Sequence, residues 1–397
     1  MRLTVNKERL ASDLRTLAGG TMAKVQVAQI SVPEDWIDFA IGQPHVDILP
    51  LEQMTRAAEH SFKQGDRNIL QYGMQQGSAN FRTTLSQFLS KKYSLDVDPD
   101  HLFITAGISQ ALDQICSLHT KPGDTVMVEE PSYFLALRIF ADHNLKVVGT
   151  PIDENGLIIE ALEERLDKNK PVFLYSIPTF HNPAGFTLSG DRREKLVRLS
   201  EKYDFLIVAD EVYQLLTYTD TPPPPMAYYD TSQRVLSLGS FSKILAPGLR
   251  LGWIHAAPSL LEPFIVCGQL DSGGGLNPFV SSIVNSVIEL GMLEEYLNFL
   301  KATYRKRVVA MCKALREHIP ALAFTDPGGG YFIWSYLSDG TDAEGMLAKA
   351  KKHRVGFQPG IKFSSMNGLH NYLRLSFAFY GIKDLLEGVV RLSRVFN

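Results

Sequence analysis

Cysteine is scarce in this 397-residue chain: three in all, at positions 116, 267 and 312. That is too few and too scattered for a disulfide framework or a thiolate metal site, so Cys116, Cys267 and Cys312 read as reduced thiols. An excess of either charge is also missing. Forty Lys and Arg stand against 43 Asp and Glu, a formal net charge of −3. Such a balance leaves no electrostatic footprint for nucleic acid or any large polyanion. No run of about 18 apolar residues occurs, so no membrane span is expected. The opening MRLTVNKERLASDLRTLAGG carries charges in every turn and lacks the apolar core of a signal peptide. Internal repeats and low-complexity tails are absent. What these absences leave is a soluble, cytoplasmic, globular chain whose 45% hydrophobic residues suffice for a large core.

From about residue 77 two periods alternate. A helical pattern, SANFRTTLSQFLSKKY (78–93), is followed by short apolar runs: LFIT (102–105), TVMV (125–128), KVVG (146–149), VFLYSI (172–177), FLIVAD (205–210) and VLSLGS (235–240). Continuous apolar runs mark strands buried on both faces, and helices between them supply parallel crossovers. The expected fold is α/β: a three-layer α/β/α domain with a mostly parallel sheet, plus a smaller α+β domain. Past residue 285 the rhythm changes to a long helical stretch over 283–319 with a break near Gly291. An aromatic strand in DPGGGYFIWSYL (326–337), a helix at 343–353, a strand at 372–377 and a helix at 381–395 follow. The expected division is an arm over 1–45, a large domain over 46–285 and a small domain over 286–397. TPPPP (221–225) is a stiff loop.

Ligands of such sheets bind at the carboxyl ends of the strands, and four strand ends carry candidate chemistry. In SLGSFSKILAPGLRLGW (237–253), Lys243 follows a buried strand, where desolvation lowers an amine's pKa toward Schiff-base chemistry. Ser240, Ser242 and Arg250 beside it suit an anion such as phosphate. A lysine reaching back to water, with the arginine in a surface ion pair, explains the same stretch. Asp210 closes FLIVAD, where an unpaired carboxylate is expensive. A protonated pyridine nitrogen is one partner for it, and a helix N-cap role is the alternative. Tyr213 lies three residues on. Asn182 in SIPTFHNPAG (176–185) opens a turn at the same edge, and an Asn-Pro turn is ordinarily structural. His181 beside it has no metal-spaced partner. In ITAGISQALD (104–113), Gly107, Ile108 and Ser109 open a helix whose N–H groups suit a phosphate or a plain cap.

In their order and spacing these elements resemble the fold-type I pyridoxal-phosphate enzymes, specifically the class I/II aminotransferase family, from FAIGQPHVDILP (39–50) to NYLRLSF (371–377). The resemblance implies pyridoxal phosphate as cofactor, with Lys243 as the Schiff-base lysine and the carrier of the proton at the substrate Cα. It implies Asp210 against the pyridinium nitrogen, Tyr213 and Asn182 on the ring oxygen, and Tyr133 of EEPSYF (129–134) stacked on the ring. The Gly107–Ser109 turn, Ser240, Ser242 and Arg250 then hold the phosphate, joined by Tyr72 of LQYGMQQG (70–77) from a neighbouring subunit. That last assignment implies a homodimer with shared sites. Arg374 matches the arginine that grips the substrate α-carboxylate, Asn182 adds to that site, and Gly42 belongs to the segment closing over it. The implied substrates are an amino acid and a 2-oxo acid.

The chain departs from the family pattern in two places. Ile108 stands where many relatives carry a small or polar residue. LDSGGGLNPFV (270–280) has no arginine where some members bring one to bind a dicarboxylate. A glutamate or 2-aminoadipate substrate then depends on Arg15 or another arm residue, while Phe279, Tyr331 and Phe332 suit apolar substrates. A racemase or lyase on the same fold uses the same Lys–Asp pair. A non-catalytic sensor module is a more distant alternative.

Overall fold

The apolar runs do assemble into one sheet. In the computed structural model, which describes residues 25–27, 30–219, 221–338 and 340–396, eight strands lie side by side. Their order is Leu102–Thr105, Gly252–His255, Val235–Ser240, Leu206–Asp210, Pro171–Ser176, Thr125–Glu130, Lys146–Asp153 and Gly156–Leu157. The central five run parallel, while Gly252–His255 runs against both its neighbours. That reversed strand was not distinguished in the sequence. Its four residues, GWIH, follow so closely on the Lys243 stretch that the whole reads as one loop. Trp253 packs over Gly239, where a Cβ would sit 2.0 Å from the indole; only glycine fits this strand position.

Period-2 alternation sends successive side chains to opposite faces, and both faces are covered. Val126, Val128, Phe173 and Leu238 pack with Leu112, Ile115 and Phe140 on one face. Met127, Leu174, Ile207 and Ala209 pack with Leu162, Leu196 and Val197 on the other. The result is three layers, as the sequence indicated.

A second, four-stranded sheet holds Ala323–Phe324, Phe332–Tyr336, Tyr372–Ser376 and Gln358–Pro359. It lies with the helices Met292–His318, Ala343–Lys352 and Ile382–Ser393. Gly291, at φ +73°, separates Met292–His318 from Pro278–Glu289, so residue 285 lies inside a helix and the break falls at the glycine. The N-terminal segment joins this second unit: Ile37–Asp38 pairs in parallel with Val355–Gly356, and Ser376 N donates to Phe39 O at 2.8 Å. In the proline loop, Pro224 O accepts from the buried Arg193 at 3.0 Å. No helix among the described residues is long and apolar enough to cross a membrane.

Candidate active site

Parallel strands deliver their last residues to one edge, and that edge carries Asp210, Ser240 and Lys243. Asp210 is buried and followed by a turn rather than a helix, so it caps no helix. Its Oδ2 accepts from the Tyr175 hydroxyl at 2.8 Å and its Oδ1 from Val212 N at 3.3 Å. Burial raises the carboxyl to about 6, against the pull of those hydrogen bonds and of Lys243 and His181. Lys243 does not snorkel to water. Its Nζ donates to Gly42 O at 2.8 Å and lies 5.2 Å from the centre of the Tyr331 ring. Burial lowers this amine to about 8; the Arg374 and Arg250 cations act in the same direction and Asp210 opposes them.

The anion-binding candidates also meet. Gly107, at φ +90°, precedes the helix Ile108–His119, whose first turn receives no side-chain cap. Arg250 Nη2 donates to Ala106 O at 3.3 Å, and its Nη1 donates to Ser242 Oγ at 3.4 Å. Ser242 N in turn donates to Ser240 Oγ at 3.1 Å. A Cβ at position 107 would lie 2.8 Å from Arg250 Nη2, so glycine lets the guanidinium close on the helix start. Uncapped N–H groups, two hydroxyls and a guanidinium form a cradle that fits a phosphate. Ile108 packs into the core beside it, and Ser109 is exposed.

Arg374 comes from the four-stranded sheet and is 3% exposed. Its Nη1 donates to Asn182 Oδ1 and its Nη2 to Ala40 O, both at 2.9 Å, while its buried Nε has no hydrogen-bond partner. The guanidinium carbon stands 3.9 Å from the Phe332 ring centre and 5.0 Å from that of Phe363. Burial lowers its pKa to about 10, which keeps it a cation near neutrality. A Cβ at Gly42 would strike Phe332 at 2.9 Å. Tyr213 is buried 5.4 Å from Tyr331, centre to centre, and its phenol is held far above the ordinary range, chiefly by burial. Tyr133 stands within electrostatic range of both Asp210 and Arg374; burial pushes its phenol up to about 12.

Two candidates do not join this group within the single chain. Tyr72 is 78% exposed, and Phe279, 40% exposed, packs against Phe62 instead. Arg15 lies outside the described residues. Two contributors, Tyr175 and Glu129, were not singled out in the sequence. Tyr175 was legible as a phenol in a buried strand, which needs a partner for its hydroxyl. His181 and Glu129 are both fully buried, with Nε2 3.1 Å from Oε2. Ser176 Oγ and Ile177 N complete the carboxyl of Glu129 at 2.6 and 2.9 Å. His181 Nδ1 accepts from Ala184 N at 3.1 Å, which puts the ring proton on Nε2, facing Glu129. Nε2 itself makes no hydrogen bond; the turn that presents Asn182 is held by Ala184 N on His181 and by Ser176 and Ile177 on Glu129. Among the described residues, no group of three or more His, Cys, Asp or Glu side chains could hold a metal ion.

Comparison with known proteins finds relatives along most of the chain. The family model for aminotransferase class I and II matches residues 34–392. Aromatic-amino-acid aminotransferase 1 of Thermococcus litoralis is 34% identical over 90% of this chain and 87% of its own length. The 2-aminoadipate transaminase of Thermus thermophilus is 32% identical over 90% and 89%. A crystal structure of Pyrococcus horikoshii kynurenine aminotransferase, in complex with PMP, superposes with a TM-score of 0.87 at 32% identity, covering 99% of this chain and 95% of that one.

Proposed function

This chain belongs to the class I and II aminotransferases, and from that premise we propose which of its residues carry the transfer and on what substrates. It is a pyridoxal-phosphate-dependent enzyme that moves an amino group between an amino acid and a 2-oxo acid. The observation that carries the site assignment is the meeting of Lys243, Asp210 and Arg374 around Gly42, Asn182 and Tyr133, from distant parts of the chain.

The cofactor fits the residues present: the cradle of Gly107, Ile108, Ser109, Ser240, Ser242 and Arg250 suits its phosphate, and Asp210 its ring nitrogen. Tyr133 would stack on the ring, and Tyr213 and Asn182 would bond its oxygen. When bound, pyridoxal phosphate supplies an aldehyde that condenses with amines and a ring that accepts the electron pair freed at the substrate Cα. Arg374 holds the α-carboxylate in its guanidinium fork, which a lysine does not reproduce. Phe332 and Phe363 keep water from that fork, so the Cα–H is presented in a fixed orientation. Lys243, an amine lowered to about 8, takes the proton from Cα and returns it on the other side of the reaction. Asp210, kept charged by Tyr175 and Val212 N against its burial, holds a proton on the ring nitrogen.

The side chain of the substrate falls among Tyr331, Phe332 and Phe363, which favours an aromatic or long apolar amino acid. Among the relatives, the aromatic-amino-acid and kynurenine aminotransferases accord with this preference, while the 2-aminoadipate transaminase acts on an acidic substrate. The body built on the eight-stranded sheet and the lobe built on the four-stranded one act as two domains joined at Gly291, with residues 30–42 part of the lobe. The enzyme works as a homodimer. Exposed Leu51, Phe62, Leu70, Tyr72, Met74 and Phe279 lie on segments that touch one another, and Tyr72 then reaches the partner's phosphate. Free Cys116, Cys267 and Cys312 accord with a cytoplasmic location.

The test is a single half-reaction. Holoenzyme given an aromatic amino acid alone should release one equivalent of 2-oxo acid per site and then stop until a second 2-oxo acid is added. Continued turnover without an acceptor would assign the site to a racemase or lyase instead.

A further inference from the structure

Two adjacent carboxyl side chains end the strand Thr125–Glu130, and period 2 sends them opposite ways. Glu129 turns inward to His181. Glu130, also buried, turns to the other structural unit. Its Oε1 accepts from Ser364 Oγ, and its Oε2 accepts from Ser365 N at 2.8 Å and Ser365 Oγ at 2.6 Å. Two residues on, Ser132 N donates to Phe363 O at 2.8 Å. No ion pair to Glu130 is seen among the described residues. Every hydrogen bond made by its carboxyl therefore runs from the cofactor-side sheet to a single loop of the four-stranded unit.

That loop is built to meet it. Ser364 Oγ, besides donating to Glu130, accepts from Met366 N at 3.1 Å and Gly368 N at 2.8 Å, which folds the loop back on itself. Room for the contact comes from Gly149 on the neighbouring strand. A Cβ there would lie 2.5 Å from Ser365 Oγ and 3.1 Å from Glu130 Oε2. The loop follows Gln358–Pro359, which pairs with the strand of Arg374, Gln358 opposite Arg374 itself. It carries Phe363, fully buried, whose ring stands 5.0 Å from the Arg374 guanidinium carbon and packs on Phe134 and Trp334 at 5.3 and 5.6 Å. One carboxyl, three residues before Tyr133, thus fixes the loop whose aromatic ring walls the arginine.

We propose that Glu130 is a positioning residue for substrate carboxylate binding: by clasping Ser364 and Ser365 it holds Phe363 against Arg374 and sets the spacing between the arginine and the cofactor edge. The inference rests on the reading of Arg374 as the carboxylate-binding residue. The three donors sit on two consecutive residues of one loop, so they engage and leave together. Losing them strands a buried carboxyl as well as freeing the loop.

The experiment uses holoenzyme and 3-phenylpropionate, a carboxylic acid without an amino group, whose binding is followed through the visible band of the cofactor. Glu130→Ala should weaken that binding about tenfold and raise the KM of both amino acid and 2-oxo acid by a similar factor, with kcat within about twofold of wild type. Amide hydrogen exchange over residues 360–368 should quicken. Glu130→Gln, whose amide oxygen can still accept from Ser365 N and Ser365 Oγ but whose NH2 meets a Ser364 Oγ already accepting from Met366 N and Gly368 N, should restore only part of the binding. Ser365→Ala, which keeps the carboxyl and removes one donor, should give a smaller loss and serves if Glu130→Ala does not fold. A lower melting temperature with unchanged binding and KM would overturn the proposal and leave Glu130 a merely structural contact. Arg374→Ala in the same assay separates the two readings. If it binds 3-phenylpropionate like wild type, the arginine assignment fails; if it loses binding and the Glu130 and Ser365 variants do not, the clasp alone fails.

Discussion

Asp210, Ser240, Lys243 and Gly107 all stand at or just past the carboxyl ends of strands in one sheet, whereas Gly42, Asn182, Phe332, Phe363 and Arg374 are gathered from five separate segments. On the proposed assignment the first set belongs to the half of the site that fits the cofactor, and the second, apart from Asn182, which serves both, to the half that fits the substrate. In the cofactor half, position follows from the sheet: parallel strands of similar length end at one edge, and any polar residue placed there faces the same crevice. In the substrate half, position depends on contacts between two sheets, and each residue needs another to hold it. Arg374 is braced by Asn182, Ala40, Phe332 and Phe363. The cofactor half is therefore a property of the fold, and the substrate half a property of how two units dock.

Replacement of Lys243 by alanine is the most severe way to probe the first half. On the proposed assignment, removing the amine abolishes the covalent anchor and the proton carrier at Cα together. A positioned general acid–base group alone contributes on the order of 10²–10⁴-fold, so kcat should fall at least that far. The visible band of the lysine-bound cofactor should disappear, while circular dichroism and the melting curve stay those of a folded protein. An unchanged band would mean that another lysine holds the cofactor.

Arg374→Ala tests the second half and should divide the parameters differently. A buried, hydrogen-bonded charge whose partner is removed is typically worth about 2–5 kcal/mol, roughly 30- to 4,000-fold at 1.4 kcal/mol per tenfold. That loss should appear in the KM of every amino acid and 2-oxo acid, with the cofactor still bound. Arg374→Lys should recover little, because an ammonium cannot reproduce the planar fork. Loss of cofactor from either variant would break the distinction between the halves.

The same contrast explains what was legible in the sequence. The six apolar runs gave the parallel sheet, and with it the places where Asp210 and Lys243 had to sit. Each of these residues was ambiguous singly and informative only in company, since an aspartate at a strand end caps a helix as readily as it faces a ring nitrogen. The reversed strand Gly252–His255 escaped notice because GWIH, with a glycine and a histidine at its ends, is not a continuous apolar run like LFIT or TVMV. Phe363 and Glu130 escaped for a deeper reason. Glu130 meets Ser364 and Ser365, 234 and 235 residues on, Phe363 meets Arg374 of a neighbouring strand, and hydrophobic pattern records which face a residue shows but not which residue it meets. Glu129 and Tyr175 fall between these cases. A carboxyl and a phenol on buried strands announce that partners exist without naming them.

Tyr175→Phe makes the gentlest intervention, and it bears on how the cofactor half tunes its own chemistry. The Tyr175 hydroxyl donates to Asp210 Oδ2 at 2.8 Å and stabilises the ionised form, while burial acts more strongly the other way and leaves the carboxyl at about 6. Without the hydroxyl only the weaker bond from Val212 N remains, so the pKa rises further. A hydrogen bond to a charged group contributes about 1.5–3 kcal/mol, and one pKa unit corresponds to about 1.4 kcal/mol. The acid limb of the kcat profile should accordingly move to higher pH, with a larger loss at pH 6 than at pH 8. The apoprotein supplies an independent reading of the same group. A carboxyl raised from 3.8 to about 6 holds its proton more tightly folded than unfolded. Its contribution to stability is complete below about 3.8 and lost as pH rises through about 6. In Tyr175→Phe that loss should extend to higher pH, whereas Arg374→Ala should leave it near its wild-type position, because Asp210 draws its perturbation from burial, Tyr175, Val212, Lys243 and His181 rather than from the arginine.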